Sequence, residues 1–232
     1  ISNVFRIANS RNLKLLVAYQ KRFDKNYNRL YELLNGKKPK NIYLKTRDHP
    51  LPPLDYLKTS NGIVEDMISH DIDIANLYMG FECPEKISAF SYTHNEILKE
   101  YDEIEGIEIL MQYKNGEIVH LSGSRDAKHG YDQRVEVFGS FGMYKLENQL
   151  DNTISHYSEN GSNYSHMNYS FMERYKEAYE NELDYFYNMI TQNRPSLIEE
   201  THLILTKKIS DAINQSLRKN TIITLSNSQN FT

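Results

Sequence analysis

The fold of this chain is decided by KISAFSY (residues 86–92), IEILMQY (107–113) and EIVHLSGS (117–124), in which apolar and polar side chains alternate. A period of two is typical of β-strands that bury one face. The tripeptide KNG (114–116) separates the second run from the third, and it predicts a tight hairpin turn. The three runs therefore predict neighbouring antiparallel strands.

Similar runs extend the predicted sheet on the carboxyl side and the amino side. Further strands are predicted at NIYLKTR (41–47), RVEVFGS (134–140) and GMYKLEN (142–148), and a short closing strand at TIITL (221–225). Helical spacing of apolar residues predicts helices over about 24–35, 63–79, 172–192 and 198–219. Residues 151–168 lack apolar periodicity and are expected to form a surface loop. About six strands preceded by helices predict an α+β fold, an open mixed or antiparallel sheet with helices on one face.

The first twenty residues have a different pattern. ISNVFRIANSRN (1–12) shows helical spacing, and LKLLVAY (13–19) is an apolar run of strand length. Such runs are typical of strands buried on both faces of a parallel sheet. A helix that leads directly into such a strand is half of a βαβ unit, so the chain is expected to start inside a helix whose earlier context is missing.

Composition narrows the class of protein. The chain has 232 residues, of which 39% are hydrophobic and 25% charged, as in globular domains. The net charge of −4 comes from 27 basic and 31 acidic residues mixed along the chain, so nucleic acid is not an expected partner. Cys83 is the only cysteine, which excludes an internal disulfide and favours a reducing, cytoplasmic location. No run is long and apolar enough to predict a membrane helix or a signal peptide.

The densest group of chemically competent residues is EDMISHDID (65–73), within the third predicted helix. Asp66 and His70 are four residues apart and are expected on one face, where a carboxylate would orient the imidazole and support its protonated form. Such a histidine is a candidate general base. Spacing alone equally allows an ordinary charged surface helix. A metal site is not expected, because no second cluster completes a ligand set with Asp71 or Asp73.

Three other segments contain candidates. KRFD (21–24) follows the apolar run 13–19, so Lys21 or Arg22 could reach a ligand at the end of a strand; a local Arg22–Asp24 ion pair is the alternative. TRDHP (46–50) places Arg47 and Asp48 before a proline-rich stretch, 49–62, that predicts an ordered loop or lid, although the two could form a surface ion pair. HGYDQR (129–134) offers Tyr131, for which a structural role is the alternative.

Together these segments resemble a known family. In chain order, KRFD, TRDHPLPPLDYLKTSNG, EDMISHDID, GYDQRVEVFGSFGM and FMERYKEAYENELDYF are similar to the C-terminal two-thirds of the Gfo/Idh/MocA oxidoreductases, and within that family to the inositol 2-dehydrogenase group. The resemblance implies that residues 1–20 end a Rossmann NAD(P)-binding domain. Residues 21–232 would form the substrate-binding and oligomerisation domain.

The resemblance also implies roles for individual residues. His70 and Asp66 correspond to catalytic positions, and Lys21, Asp48 and Tyr131 to substrate-binding positions. The implied partners are a small polyol or sugar and further copies of the chain, which would associate through the open sheet.

NAD or NADP is implied as the cofactor of the full-length protein. None is expected to bind this chain alone, because it contains neither GxGxxG nor the Glu-Lys-Pro motif of the family. Two hypotheses follow. In the first, the chain is the substrate domain of an inositol 2-dehydrogenase-like enzyme that oxidises a secondary hydroxyl of a cyclic polyol or sugar, and is inactive by itself. In the second, it is a catalytically inactive sugar-binding or oligomerisation module.

Overall fold

The computed structural model describes residues 1–225. Residues 226–232, the end of the predicted domain 21–232, lie outside the described part. The described helices are α1 (Ser2–Ser10), a 3₁₀ turn (Gln20–Phe23), α2 (Lys25–Leu34), α3 (Leu54–Leu57), a π-helical turn (Val64–Ile68) that continues as α4 (Ser69–Tyr78), α5 (Glu96–Glu100), α6 (Phe171–Arg174), α7 (Lys176–Thr191) and α8 (Glu200–Lys219). The described strands are β1 (Asn41–Arg47), β2 (Lys86–Tyr92), β3 (Gly106–Gln112), β4 (Ile118–Ser124), β5 (Asp132–Gly139), β6 (Gly142–Leu146), β7 (Ser155–Ser158), β8 (Gly161–Tyr164) and β9 (Ile223–Thr224).

Seven of these strands form one open mixed sheet in the order β6-β5-β1-β4-β3-β2-β9. β1 runs parallel to β4, and all other neighbours are antiparallel. α4 packs on β1 and β4, and α8 packs on β2, so the helices cover one face. The predicted α+β class, the open mixed sheet and its strands are therefore confirmed, with the short closing strand as the seventh.

The alternation that predicted the strands determines which residues fill the core. In β3, Ile109 is fully buried, while its neighbour Leu110 is 48% exposed on the opposite face. Ile109 pairs across the sheet with Leu121 of β4, which is also fully buried. One face of the sheet thus contributes to the core under the helices, and the other remains open.

Two local predictions are wrong. The strand predicted at 13–19 is absent, because the segment pairs with no strand among residues 1–225; Leu16 and Val17 instead pack against the core without regular secondary structure. The loop predicted at 151–168 contains the hairpin of β7 and β8, whose side chains are exposed on both faces. With no buried face, this hairpin has no apolar period that could predict it.

None of the described helices is both long enough and apolar enough to cross a membrane.

The two faces of β3 give a stability test. We expect Ile109→Ala to lower the free energy of unfolding by about 2–5 kcal/mol, because it leaves a cavity in the core. The matched variant Leu110→Ala should change it by less than about 0.5 kcal/mol, because that side chain is half exposed. Urea unfolding measures both. Equal losses would contradict the assigned orientation of β3.

Candidate functional site

Two buried ion pairs join the 3₁₀ turn to α4. Lys21 Nζ lies 2.5 Å from Asp71 Oδ1, and Arg22 donates to both carboxylate oxygens of Asp73, at 2.6 and 3.1 Å. All four residues are almost completely buried. The 3₁₀ turn therefore has one fixed position on the helix.

The alternative prediction, a local ion pair between Arg22 and Asp24, is wrong. Asp24 caps α2 by accepting from the backbone N–H groups of Asn26 and Tyr27, at 2.9 and 3.2 Å. Its other carboxylate oxygen accepts from Arg174 at 2.6 Å. Arg22 is consequently left to pair with α4.

The ammonium of Lys21 is held from several sides. Besides Asp71, its Nζ contacts Thr46 Oγ1 at 3.3 Å and lies 5.7 Å from the centre of the Tyr27 ring. Burial opposes the charged form, but Asp71, with smaller contributions from Tyr27 and Asp48, more than offsets this and raises the pKa of Lys21 above its usual value. The lysine is thus a fixed positive charge.

Asp66 lies in the π-helical turn, and its partners are not the predicted ones. One oxygen accepts from Arg125 Nη1 at 2.8 Å, and the other accepts a short hydrogen bond from the Tyr56 hydroxyl. Asp66 and His70, which both lie in the described part of the chain, are not hydrogen-bonded to each other. Both carboxylate oxygens of Asp66 are therefore engaged by Arg125 and Tyr56 instead of by the imidazole.

The environment of His70 lowers its basicity. Its Nδ1 is buried without a protein partner in the described part of the chain, and its ring meets the edge of Tyr19. Burial, followed by the positive charge of Lys21, lowers the pKa of His70 to about 4, although Asp71 and Asp66 oppose this. Asp66 does favour the protonated imidazole, as expected, but burial and Lys21 outweigh it. The ring is neutral at neutral pH, and this is the form that accepts a proton.

Asp48 and Arg47 point to opposite faces of the sheet. Arg47 donates to Ser122 Oγ at 2.7 Å on the open face, so a surface Arg47–Asp48 pair does not form. The backbone of Asp48 is fixed by hydrogen bonds to Ser124 and Ala127, at 2.8 and 2.9 Å. Burial raises the pKa of the Asp48 carboxyl to about 7, against the opposing charges of Lys21 and Arg125.

Tyr131 is buried, with its ring edge against Tyr175. Burial raises the pKa of its hydroxyl well above the usual value, so the group remains a hydrogen-bond donor. The other members of its segment form a cluster elsewhere: Asp132 accepts from Arg134 at 2.6 and 2.7 Å and faces His129 at 3.1 Å.

One cavity of about 530 Å³ brings all five predicted site residues together. Its wall includes Lys21, Asp48, Asp66, His70 and Tyr131. The volume lies within the usual range of about 300–1,000 Å³ for small-molecule sites. The proline-rich stretch predicted as a lid lines it through His49 to Pro53 and Tyr56, and Phe171 and Tyr179 add aromatic surface. The cavity therefore has a charged part and an apolar part.

Sequence reasoning missed the residues that set the charges of this cavity. Arg125 is fully buried and pairs with Asp66, and Asp71 fixes Lys21. Arg125 directly follows β4, and Gly123 of that strand allows close approach of the π turn: a Cβ there would lie 2.4 Å from Ile68 Cδ1. An arginine two residues after a strand glycine is the only local signal for this contact.

The donor set does not fit a metal or a dinucleotide. No three His, Cys, Asp or Glu side chains of residues 1–225 are placed to hold a metal ion. No glycine-rich turn leads from a strand into a helix in the same region, as the pyrophosphate of NAD(P) requires. The charged part of the cavity instead offers hydrogen-bond donors and acceptors of the kind that orient a small polar ligand.

Comparison with known proteins identifies the family. Residues 40–145 match the model of the GFO/IDH/MocA C-terminal domain. Myo-inositol 2-dehydrogenase of Thermotoga maritima is 34% identical over 187 residues, which cover 79% of this chain and 56% of the relative. The chain belongs to the Gfo/Idh/MocA family.

Further relatives and solved structures support the same family assignment. Inositol 2-dehydrogenase of Rhizobium meliloti is 30% identical over 184 residues, 78% of this chain and 56% of the relative. The crystal structure of scyllo-inositol dehydrogenase from Lactobacillus casei, with bound NAD(H) and scyllo-inositol, superposes with a TM-score of 0.84 and 25% identity, covering 94% of this chain and 66% of that one. The chain spans 56% of the length of either curated relative.

The opposite pKa shifts of Asp48 and His70 give a pH test. Asp48, with its pKa raised from 3.8 to about 7, binds more protons in the folded state, so its contribution to stability falls as pH rises through that interval. His70, with its pKa lowered from 6.5 to about 4, binds fewer protons in the folded state than in the unfolded state. Its contribution to stability therefore rises as pH rises through that interval. Between about pH 4 and 6.5 the two contributions to stability change with pH in opposite directions, each by up to about 1.4 kcal/mol per pH unit.

We therefore expect Asp48→Asn to make stability rise with pH between about 4 and 6.5, and His70→Gln to make it fall, relative to the unsubstituted chain. Urea unfolding across this range measures the difference. Parallel pH profiles for both variants and the original chain would show that the two groups titrate normally.

Proposed function

We propose that this chain is the substrate-binding part of an NAD(P)-dependent dehydrogenase that oxidises a secondary hydroxyl of a cyclic polyol such as an inositol. The observation that carries the proposal is the convergence of Lys21, Asp48, Asp66, His70 and Tyr131 on one cavity. These residues come from four separate segments of the sequence, and curated relatives named as inositol dehydrogenases support the substrate class.

Each residue has a role that its environment allows. Lys21 and Tyr131 donate hydrogen bonds to substrate oxygens, and the carboxylates of Asp48 and Asp66 accept from substrate hydroxyls. His70, neutral in the empty cavity, takes the proton of the reacting hydroxyl. NAD(P), when bound, supplies the hydride acceptor. Because residues 1–225 do not fit its pyrophosphate, its binding is assigned to residues other than these.

The domain assignment is part of the same proposal. Residues 1–20 would end a nucleotide-binding domain, and residues 21–232 would form the substrate domain in a cytoplasmic enzyme. A second candidate is a module that binds a polyol without oxidising it. The missing glycine-rich turn among the described residues favours that candidate for the chain by itself.

The two candidates differ in turnover. We expect the longest polypeptide encoded by the gene to reduce NAD⁺ with myo-inositol or scyllo-inositol, and His70→Ala to lower kcat by about 10²–10⁴-fold because the proton acceptor is lost. The formation of NADH measures this. His156→Ala is the control, because that histidine is exposed on β7. Calorimetric binding of the polyol with no turnover by either polypeptide would favour the binding module.

We also propose that copies of the chain associate through the open face of the sheet. Large apolar side chains stay exposed there, namely Phe90, Leu110, Phe138 and Met143. Exposed apolar groups spread over one sheet face are typical of an association surface.

Sedimentation velocity tests this association. We expect the double variant Leu110→Ser, Phe138→Ser to shift the distribution toward monomer, because it removes apolar surface from the proposed interface. Tyr157→Ser is the control, since Tyr157 is 70% exposed on the β7–β8 hairpin. An unchanged distribution for the double variant, or an equal shift for the control, would place the interface elsewhere.

A further inference from the structure

The charges around the cavity do not balance. Two cations, Lys21 and Arg125, accompany three carboxylates, Asp48, Asp66 and Asp71. Lys21 is paired with Asp71 at 2.5 Å, and Arg125 with Asp66 at 2.8 Å. The carboxylate of Asp48 is therefore the member without an ion-pair partner among residues 1–225.

The Asp48 side chain is partly buried and faces the cavity. Its backbone N–H donates to Ser124, and its backbone carbonyl accepts from Ala127, so the residue is held at the end of β1. No described side chain donates a hydrogen bond to its carboxylate. The groups that face it are Lys21 and Arg125, which favour its ionised form, and Asp71 and Asp66, which oppose that form together with burial.

A ligand can supply the missing positive charge. A hydroxyl of a neutral polyol can donate one hydrogen bond to Asp48, but an ammonium donates a charge-assisted bond, which is roughly twice as strong. This inference rests on the proposed polyol site. We propose that the cavity binds cyclic polyols in which an ammonium replaces one hydroxyl, that is, aminocyclitols or amino sugars, with the ammonium on Asp48.

The placement of charges orients such a ligand. Lys21 repels an ammonium, so the cationic substituent lies at Asp48 and hydroxyls lie toward Lys21. Asp48 follows β1 and His70 lies in α4, so the two side chains line the cavity from different elements. The ammonium and the hydroxyl that reacts at His70 are therefore placed at different positions of the ring.

Calorimetry with a matched pair of ligands tests the inference. The probes are scyllo-inositol and its monoamine, in which one hydroxyl is replaced by an amino group, titrated into this chain and into the longest polypeptide of the gene. At about pH 8 we expect the monoamine to bind about tenfold more tightly, the difference between a neutral and a charge-assisted hydrogen bond. At about pH 6 the advantage should shrink, because Asp48 becomes protonated below a pKa of about 7 while the amine stays charged.

Two variants locate the effect. Asp48→Asn keeps the size of the side chain and should abolish both the preference for the monoamine and its pH dependence. Binding of scyllo-inositol should weaken as well, because Asp48 accepts from one of its hydroxyls, so the ratio of the two affinities is the quantity compared. Asp55→Asn removes the same charge from α3, where Asp55 is exposed, and should leave both unchanged. Circular dichroism melting confirms that each variant is folded before titration.

The outcomes separate this inference from the proposed function. Binding of scyllo-inositol without tighter binding of the monoamine would overturn the inference alone. A preference that survives Asp48→Asn would also overturn it, because another group would then hold the ammonium. Failure of both polypeptides to bind either ligand would overturn the polyol site and this inference together.

Discussion

The arrangement of the cavity depends on the two buried ion pairs between the 3₁₀ turn and α4. Charges removed from water are costly, and breaking such a pair by removing one partner typically costs about 3–5 kcal/mol. Lys21 and Arg22 are neighbours in the turn, and their partners Asp71 and Asp73 are two residues apart in α4, so the two pairs fix the turn on the helix at two points. Of the four residues in these pairs, only Lys21 also lines the cavity. The Arg22 pair thus anchors the turn that presents the lysine.

Burial shifts the pKa values of two cavity residues, His70 and Asp48, in opposite directions, because it disfavours the charged form of each. It removes the charge from His70, which makes the imidazole available to accept a proton, and it disfavours the ionised form of Asp48. The same burial that keeps His70 neutral therefore opposes the ionisation of Asp48 at neutral pH. A bound ligand that donates hydrogen bonds to that carboxylate relieves this opposition, so binding and folding are linked through one side chain.

The sequence predicted the sheet well, because alternation directly reflects a buried and an open face, as for Ile109 and Leu110. It failed where no such contrast exists. The run 13–19 has the composition of a buried strand but no neighbouring strand in the described chain, and the β7–β8 hairpin has no buried face. Family resemblance selected five residues that share the cavity. Spacing could not give the partners of Asp66, since Arg125 lies 59 residues away.

The end of β1 shows how one strand serves two surfaces. Successive side chains of a strand point to opposite faces, so Asp48 reaches the cavity while Arg47 lies on the open face with Ser122 and Glu108. Both residues are held to the same stretch of β4, Asp48 through the backbone of Ser124 and Arg47 through the side chain of Ser122. A shift of β1 along β4 would therefore move both. The proposed substrate site and the proposed association surface share this pair of strands, which is the most direct physical connection between them.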